Sequence, residues 1–272
     1  MTRTKTIIGA LALCVLLICA LAGASASASP GLTAVECVKQ GAGSNFSTSE
    51  CATPTEEGNF ETVAIANGVK TNVTASTTGG QPVALRIRPI FGTHFTVVCE
   101  NDELVGATVE NSEPKAGEHK IVGTATRETY LNCHAVLESK ESRYCAVQGI
   151  TAPGGAGMIS TRELKGETTN VEHKILVVPA PEAGGEFTSF QVLSKGKNPK
   201  TENECWTTST INVVIKGGVE GEVDTTNHAH LTFTEANNGE GLNGTGLTVK
   251  YIDTTGGISA STGAVIGAQT FT

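Results

Sequence analysis

The residues best able to do chemistry are few, and their spacing limits what each can do. His228-Ala229-His230 sets two imidazoles two residues apart. On a strand such residues face the same side, so both rings can approach one metal ion, with Asp224 or Glu235 as a carboxylate ligand. The motif fixes no third ligand and reads as a pair of solvent-facing strand histidines. Glu100-Asn101-Asp102-Glu103 gathers the oxygen ligands that calcium takes, but lacks the spacing of a calcium loop. A solvated hairpin turn after Cys99 is expected there. Ser112-Glu113-Pro114-Lys115 formally fits a Ser-x-x-Lys nucleophile pattern, yet Pro114 opposes the helix which that geometry uses. There is no Gly-x-Ser-x-Gly elbow, no His-Glu-x-x-His and no phosphate-cradling glycine loop. Alternate threonines in Thr124-Ala125-Thr126, Thr208-Ser209-Thr210 and Thr232-Phe233-Thr234 suggest an ice-binding face. Their irregular spacing makes them ordinary strand threonines instead. No residue is therefore assigned a catalytic, cofactor-binding or metal-ligating role.

Cysteine is the more informative residue type. Of eight, Cys14 and Cys19 lie in the apolar leader described next, which leaves Cys37, Cys51, Cys99, Cys133, Cys145 and Cys205. An even number in an exported chain reads as a disulfide framework with fifteen possible connectivities. Cys37 and Cys51 flank a glycine- and serine-rich stretch, Val38–Glu50, which a bridge would staple. Cys133 and Cys145 stand on either side of the polar stretch Glu138–Ser142, as in a cross-strand bridge of a hairpin. Cys99 and Cys205 are then left to join distant strands. Each bridge contributes roughly 3 kcal/mol in the chain-entropy model. No Cys-x-x-Cys occurs, so zinc-ribbon and thioredoxin-like sites lack their spacing.

The leader is an address. Arg3 and Lys5 precede an apolar run, Ile7–Leu21, followed by overlapping Ala-x-Ala sites before Pro30. This is the pattern of a secretory signal peptide, cut after Ala26 or Ala28, and the run is shorter than the roughly 18 residues of a membrane span. Leu13 and Ile18 are too large to precede a lipoprotein cysteine. No membrane span is expected after cleavage. The whole chain has 19 basic and 27 acidic residues and net charge −8; losing Arg3 and Lys5 leaves 17 basic residues and net charge −10. An acidic chain with three tyrosines and one tryptophan offers no face for nucleic acid and none for anionic lipid. Only 17% of residues are charged, while 39% are hydrophobic and 4% aromatic. Threonine, roughly one residue in seven, supplies the missing polarity and favours strands.

Short alternating stretches recur between Gly-Gly and Asn-Gly turns, with no helical period. They include Phe60–Ala66, Val83–Ile90, Phe95–Cys99, Leu104–Val109, His119–Thr126, Met158–Leu164 and Val171–Val178. Phe187–Leu193, Trp206–Ile215, His230–Thr234, Leu247–Ile252 and Ile258–Ile266 follow. Within these, Ile211–Ile215 reads as a strand buried on both faces, and Lys195–Glu204 as a surface loop. The expected fold is all-β, a many-stranded antiparallel sandwich or barrel with an N-terminal disulfide-looped segment. The expected divisions are a signal peptide at 1–28, a Cys-looped segment at 29–60 and a β domain at 61–272.

The order of these features resembles a group of secreted, cysteine-containing all-β proteins of actinobacterial type, encoded in many copies and with no assigned activity. The resemblance rests on the Cys37-x13-Cys51 loop, the strand ending in Cys99, Leu131-Asn132-Cys133 and Cys145. It continues through Gly157–Glu167, Phe187-Thr188-Ser189-Phe190, Cys205 and Val213–Val223. A Gly-x-Ile-x-Thr strand before Leu-Lys-Gly is matched by Gly157 to Gly166, whereas Asn132 stands where Gly often precedes the cysteine. What the resemblance implies is fold and location, and many copies suit variable extracellular binding better than one metabolic step. The function expected is a non-enzymatic binding or structural role, with an unknown extracellular ligand or envelope component as partner. The alternative is an extracellular hydrolase acting on polysaccharide or peptide. Asn45, Asn72 and Asn243 head Asn-x-Ser/Thr triplets that matter only in a glycosylating cell.

Overall fold

Alternation between buried and more exposed residues marks strands such as Phe95–Cys99, Ile211–Gly217 and Val219–Val223. In the computed structural model, residues 31–223 are described except 50, 52, 74–75, 78–82, 90–93, 116–117, 138–139, 169–173, 181–184, 194–204 and 208. Beyond them the described residues are 231–232, 242–244, 247–252, 256–257 and 264–269. No helix occurs among the described residues, and so none long and apolar enough to cross a membrane. The architecture lies within one unit, Leu32–Ala268.

The first strands are β1 (Gly31–Phe46), β2 (Pro54–Ala64), β3 (Thr71–Val73), β4 (Ser76–Thr77), β5 (Val83–Pro89) and β6 (Phe95–Cys99). Next come β7 (Asn101–Val105), β8 (Ala107–Lys115), β9 (Glu118–Ala125), β10 (Arg127–Leu131) and β11 (His134–Leu137). The middle of the chain gives β12 (Lys140–Gly149), β13 (Met158–Ser160), β14 (Leu164–Thr168) and β15 (Lys174–Pro179). It continues with β16 (Glu186–Val192), β17 (Ile211–Gly217) and β18 (Val219–Val223). The last are β19 (Leu231–Thr232), β20 (Leu242–Gly244), β21 (Leu247–Ile252), β22 (Gly256–Gly257) and β23 (Ala264–Gln269).

Eight strands close a barrel in the order β11-β12-β16-β17-β20-β21-β5-β6, and every pairing in it is antiparallel. Three open sheets accompany it: β2-β1-β23, β13-β10-β7-β4-β22 and β19-β18-β15-β14-β9-β8-β3. The all-β expectation therefore holds, in its barrel form. Barrel strands bury alternate residues: Val83, Leu85 and Ile87 on β5, and Phe95, Val97 and Cys99 on β6. Ala135, Val147, Val213 and Ile215 continue the same core, which fills the inside with branched, small and aromatic side chains.

One ladder links the sheets. Val98 faces His134, Asn101 faces Leu131, Val105 faces Arg127 and Thr108 faces Thr124, with no residue gained or lost on either side. The hairpin Phe95–Leu137 thus runs from the barrel through the five-stranded sheet into the seven-stranded one, turning two corners. At the first corner Cys99 and Cys133 stand opposite each other and are bonded, with Cα atoms 4.0 Å apart. At the second, Gly106 faces Thr126 with φ of 60°. A Cβ on Gly106 would lie 2.5 Å from the Thr126 hydroxyl oxygen, so a side chain there would have to displace Thr126 as well as adopt positive φ.

Several expectations are corrected here. Cys37–Cys51 is bonded as expected, but the other bridges are Cys99–Cys133 and Cys145–Cys205, not Cys133–Cys145 and Cys99–Cys205. The hairpin register explains the error: Cys145 faces Ala135, so Cys133 falls two residues beyond it. The stretch after Cys37 is strand as far as Phe46. Leu104–Val109 and Met158–Leu164 are each broken by a corner between two sheets. Ile211–Ile215 is buried on one face only, since Asn212 and Val214 are exposed. The strand covered on both faces is β16, where Phe187, Thr188, Ser189 and Phe190 are all buried.

Candidate functional site

Two buried polar residues in the middle of β16 must find partners, because an unpaired buried hydroxyl is costly. Thr188 and Phe190 face the barrel partners Ile215 and Val213. Ser189 faces the other way, toward the connection that leaves β12. There Ile150 N–H and Thr151 N–H both donate to the Ser189 carbonyl, at 2.8 and 3.2 Å. The Ser189 N–H donates in return to Thr151 Oγ1 at 2.9 Å, and the two hydroxyl oxygens are 3.0 Å apart.

Glu186, at the start of β16, completes the cluster. Its Oε1 accepts from Ser189 Oγ at 3.1 Å, from Thr151 Oγ1 at 3.2 Å and from Arg162 Nη2 at 3.0 Å. Arg162 sits at the corner between β13 and β14, where its backbone N–H donates to the Phe187 carbonyl at 2.9 Å. Beside it Thr161 Oγ1 accepts from Glu128 N–H at 2.9 Å, and Thr188 Oγ1 donates to the Ser160 carbonyl at 2.6 Å. Thr129 and Ser160 pair their hydroxyls at 3.3 Å. This polar seam fastens β16 to the β12 exit and to the strand corner.

The seam is chemically quiet. Ser189 is 5% exposed and Thr151 2%, so both hydroxyls lie buried within the seam. Both donate toward one carboxylate oxygen already held by a guanidinium, and neither bonds an imidazole among the described residues. The Arg162–Glu186 pair, with side chains 54% and 29% exposed, adds at most about 1 kcal/mol. Seam chemistry is that of a clasp.

The second candidate is the open face of the seven-stranded sheet. Its side chains include Thr108, Thr124, Lys165, Glu167, Lys174, Leu176 and Glu220. Thr108 and Thr124 pair at 3.0 Å, Lys165 pairs with Glu167, and Lys174 Nζ reaches Glu220 Oε1 at 2.6 Å. Leu176 stands 42% exposed among them. The threonine pair does not extend into a ladder, because Thr124 is flanked on its other side by Lys165.

The residues singled out by type fare differently. His228, His230, Asp224 and Glu235 lie outside the described residues. Glu100–Glu103 is not a turn: Glu100 forms the corner, with Asn132 Nδ2 3.3 Å away, and the others belong to β7. No group of three or more His, Cys, Asp or Glu stands close enough to hold a metal among the described residues. Ser112–Lys115 is strand, part of β8, rather than helix. Thr151, Arg162, Glu186 and Ser189 were not foreseen. The one available signal was the polar pair Thr188-Ser189 enclosed by two phenylalanines, which is odd for a strand with a single wet face. Compared with protein-family models, curated proteins and solved structures, the chain shows no match.

Proposed function

We propose that this is a secreted protein with a non-enzymatic binding or structural role outside the cell or in its envelope. The observation that carries the reading is the disulfide framework. All six cysteines beyond the leader are paired within the chain, and such bridges persist in oxidising compartments. The signal pattern over residues 1–28 points to the same compartment. The buried, mutually satisfied seam supports a role without turnover, and the solvent-facing side of the seven-stranded sheet, with Leu176 exposed on it, is a surface suited to contact.

Two measurements test it. Mass spectrometry of the exported protein should find a new N-terminus at Ser27 or Ser29; retention of Met1 overturns secretion by cleavage. A glycan and cell-wall array screen on the mature chain, with activity assays in parallel, should show binding without turnover. Turnover of any arrayed polysaccharide or peptide overturns the non-enzymatic role.

A further inference from the structure

We infer that the Cys145–Cys205 disulfide is a redox-sensitive latch, holding Trp206 over Phe95 at one end of the barrel and releasing it on reduction. Cys145 lies on β12 and is 1% exposed, within the barrel core. Cys205 is half-buried and belongs to the connection between β16 and β17, so the bridge ties that connection to the barrel wall. Trp206, the next residue, packs against the core with its ring centroid 5.5 Å from that of Phe95. Phe95 is the first residue of β6, at the opposite end of that strand from the Cys99 corner.

The indole is held in an awkward place. Its Nε1 is buried and has no hydrogen-bond partner among the described residues. A buried unpaired N–H carries a penalty that water would remove. Ring packing and the adjacent bridge oppose that penalty, and the bridge is the restraint a chemical signal can cut. The other bridges do not share this position: Cys99–Cys133 forms a strand corner, and Cys37–Cys51 closes the β1–β2 ribbon.

The opening step needs a dithiol reductant, which supplies two electrons. Its thiolate attacks the sulfur of the half-buried Cys205, forming a mixed disulfide, while Cys145 leaves as a thiolate and takes a proton. The second thiol of the reductant then attacks its own sulfur in the mixed disulfide. It closes to a cyclic disulfide and frees Cys205 as a thiol.

The chain holds a single tryptophan, so its own fluorescence reports the motion. The full mature chain is reduced to a limited extent with dithiothreitol, the thiols are alkylated, and peptide mapping identifies the opened bridge. Emission wavelength and acrylamide quenching are read rather than intensity, because a neighbouring disulfide quenches indole by itself. Opening of Cys145–Cys205 should shift emission to longer wavelength and raise quenching severalfold, with the strand signal in circular dichroism kept. A Cys145→Ser, Cys205→Ser double variant should show the released state permanently. If that variant does not fold, limited reduction of the native chain decides alone. Unchanged emission and quenching after the bridge is opened overturns the latch. So does loss of the strand signal in step with the emission shift, which would make the bridge a support of the barrel itself.

Discussion

Asn111 shows how one side chain can stand in for a strand. It lies on β8, 8% exposed, and its Oδ1 accepts from Ala34 N–H at 2.7 Å. Its Nδ2 donates to the carbonyls of Ala34 and Ile65, at 2.8 and 2.7 Å. The amide thereby joins β1 and the end of β2 to the seven-stranded sheet, using three of its four hydrogen-bonding positions. Asn111→Leu keeps the volume but leaves the Ala34 N–H and the Ile65 carbonyl buried without that partner. It should lower stability by about 3 kcal/mol in urea denaturation, since each orphaned group costs about 1–3 kcal/mol; a loss below about 1 kcal/mol would deny the clamp. The seam obeys the same asymmetry. Thr151 Oγ1 accepts the Ser189 N–H as well as meeting Glu186, whereas Ser189 Oγ meets only other side chains. Thr151→Val should therefore cost about 2 kcal/mol and Ser189→Ala about 1 kcal/mol, and the reverse order in thermal denaturation would contradict the assigned bonds. Neither role was legible in the sequence. Nothing in Val109-Glu110-Asn111-Ser112 distinguishes a clamp from a surface asparagine, because its partners lie 46 and 77 residues away.

At the scale of elements, period-two alternation was enough to place most strands, and it failed where strands bend. Phe95–Cys99 and Leu247–Ile252 were read with their observed limits. Leu104–Val109 reads as one apolar-rich stretch, yet Gly106 turns it from one sheet into the next. Alternation reports which face is wet, not which sheet supplies the cover, so a corner is invisible to it. Bridge pairing was hidden for a related reason. Sequence suggests hairpins, but a two-residue offset between Cys133 and the residue facing Cys145 is enough to send each cysteine to a different partner. β16 was located correctly, while its second buried face was not, because the cover comes from the β12 exit and the Arg162 corner. Gly106 makes the corner testable. Gly106→Ala forces a side chain into positive φ, for about 1 kcal/mol, and presses its Cβ on the Thr126 hydroxyl. The substitution should cost about 2 kcal/mol in the native background and about half that beside Thr126→Ala. Equal costs in a double-mutant cycle would show that Thr126 does not crowd the corner.

For the whole molecule, closure joins segments far apart in the chain. β21 pairs with β5 to complete the barrel, and β23 lies beside β1, so the earliest and latest segments of the chain must meet. Such non-local pairing makes folding slow. The bridges then act on a molecule of modest net stability. They span sequence separations of 14, 34 and 60 residues, for which loop entropy gives about 3, 4 and 4 kcal/mol. Any one of these is smaller than the net stability of a well-folded domain, about 5–15 kcal/mol, whereas the three together are comparable with it. Loss of Cys37–Cys51 or Cys145–Cys205 alone should therefore leave the strand signal intact at room temperature. Cys99→Ala with Cys133→Ala should cost more than its loop length implies, because both sulfurs fill core and their removal leaves a cavity where two sheets join. Full reduction should unfold most of the population, read as loss of the strand signal and regained on reoxidation. A fully reduced chain that keeps a cooperative thermal transition near that of the native protein would show that the barrel core suffices without its bridges.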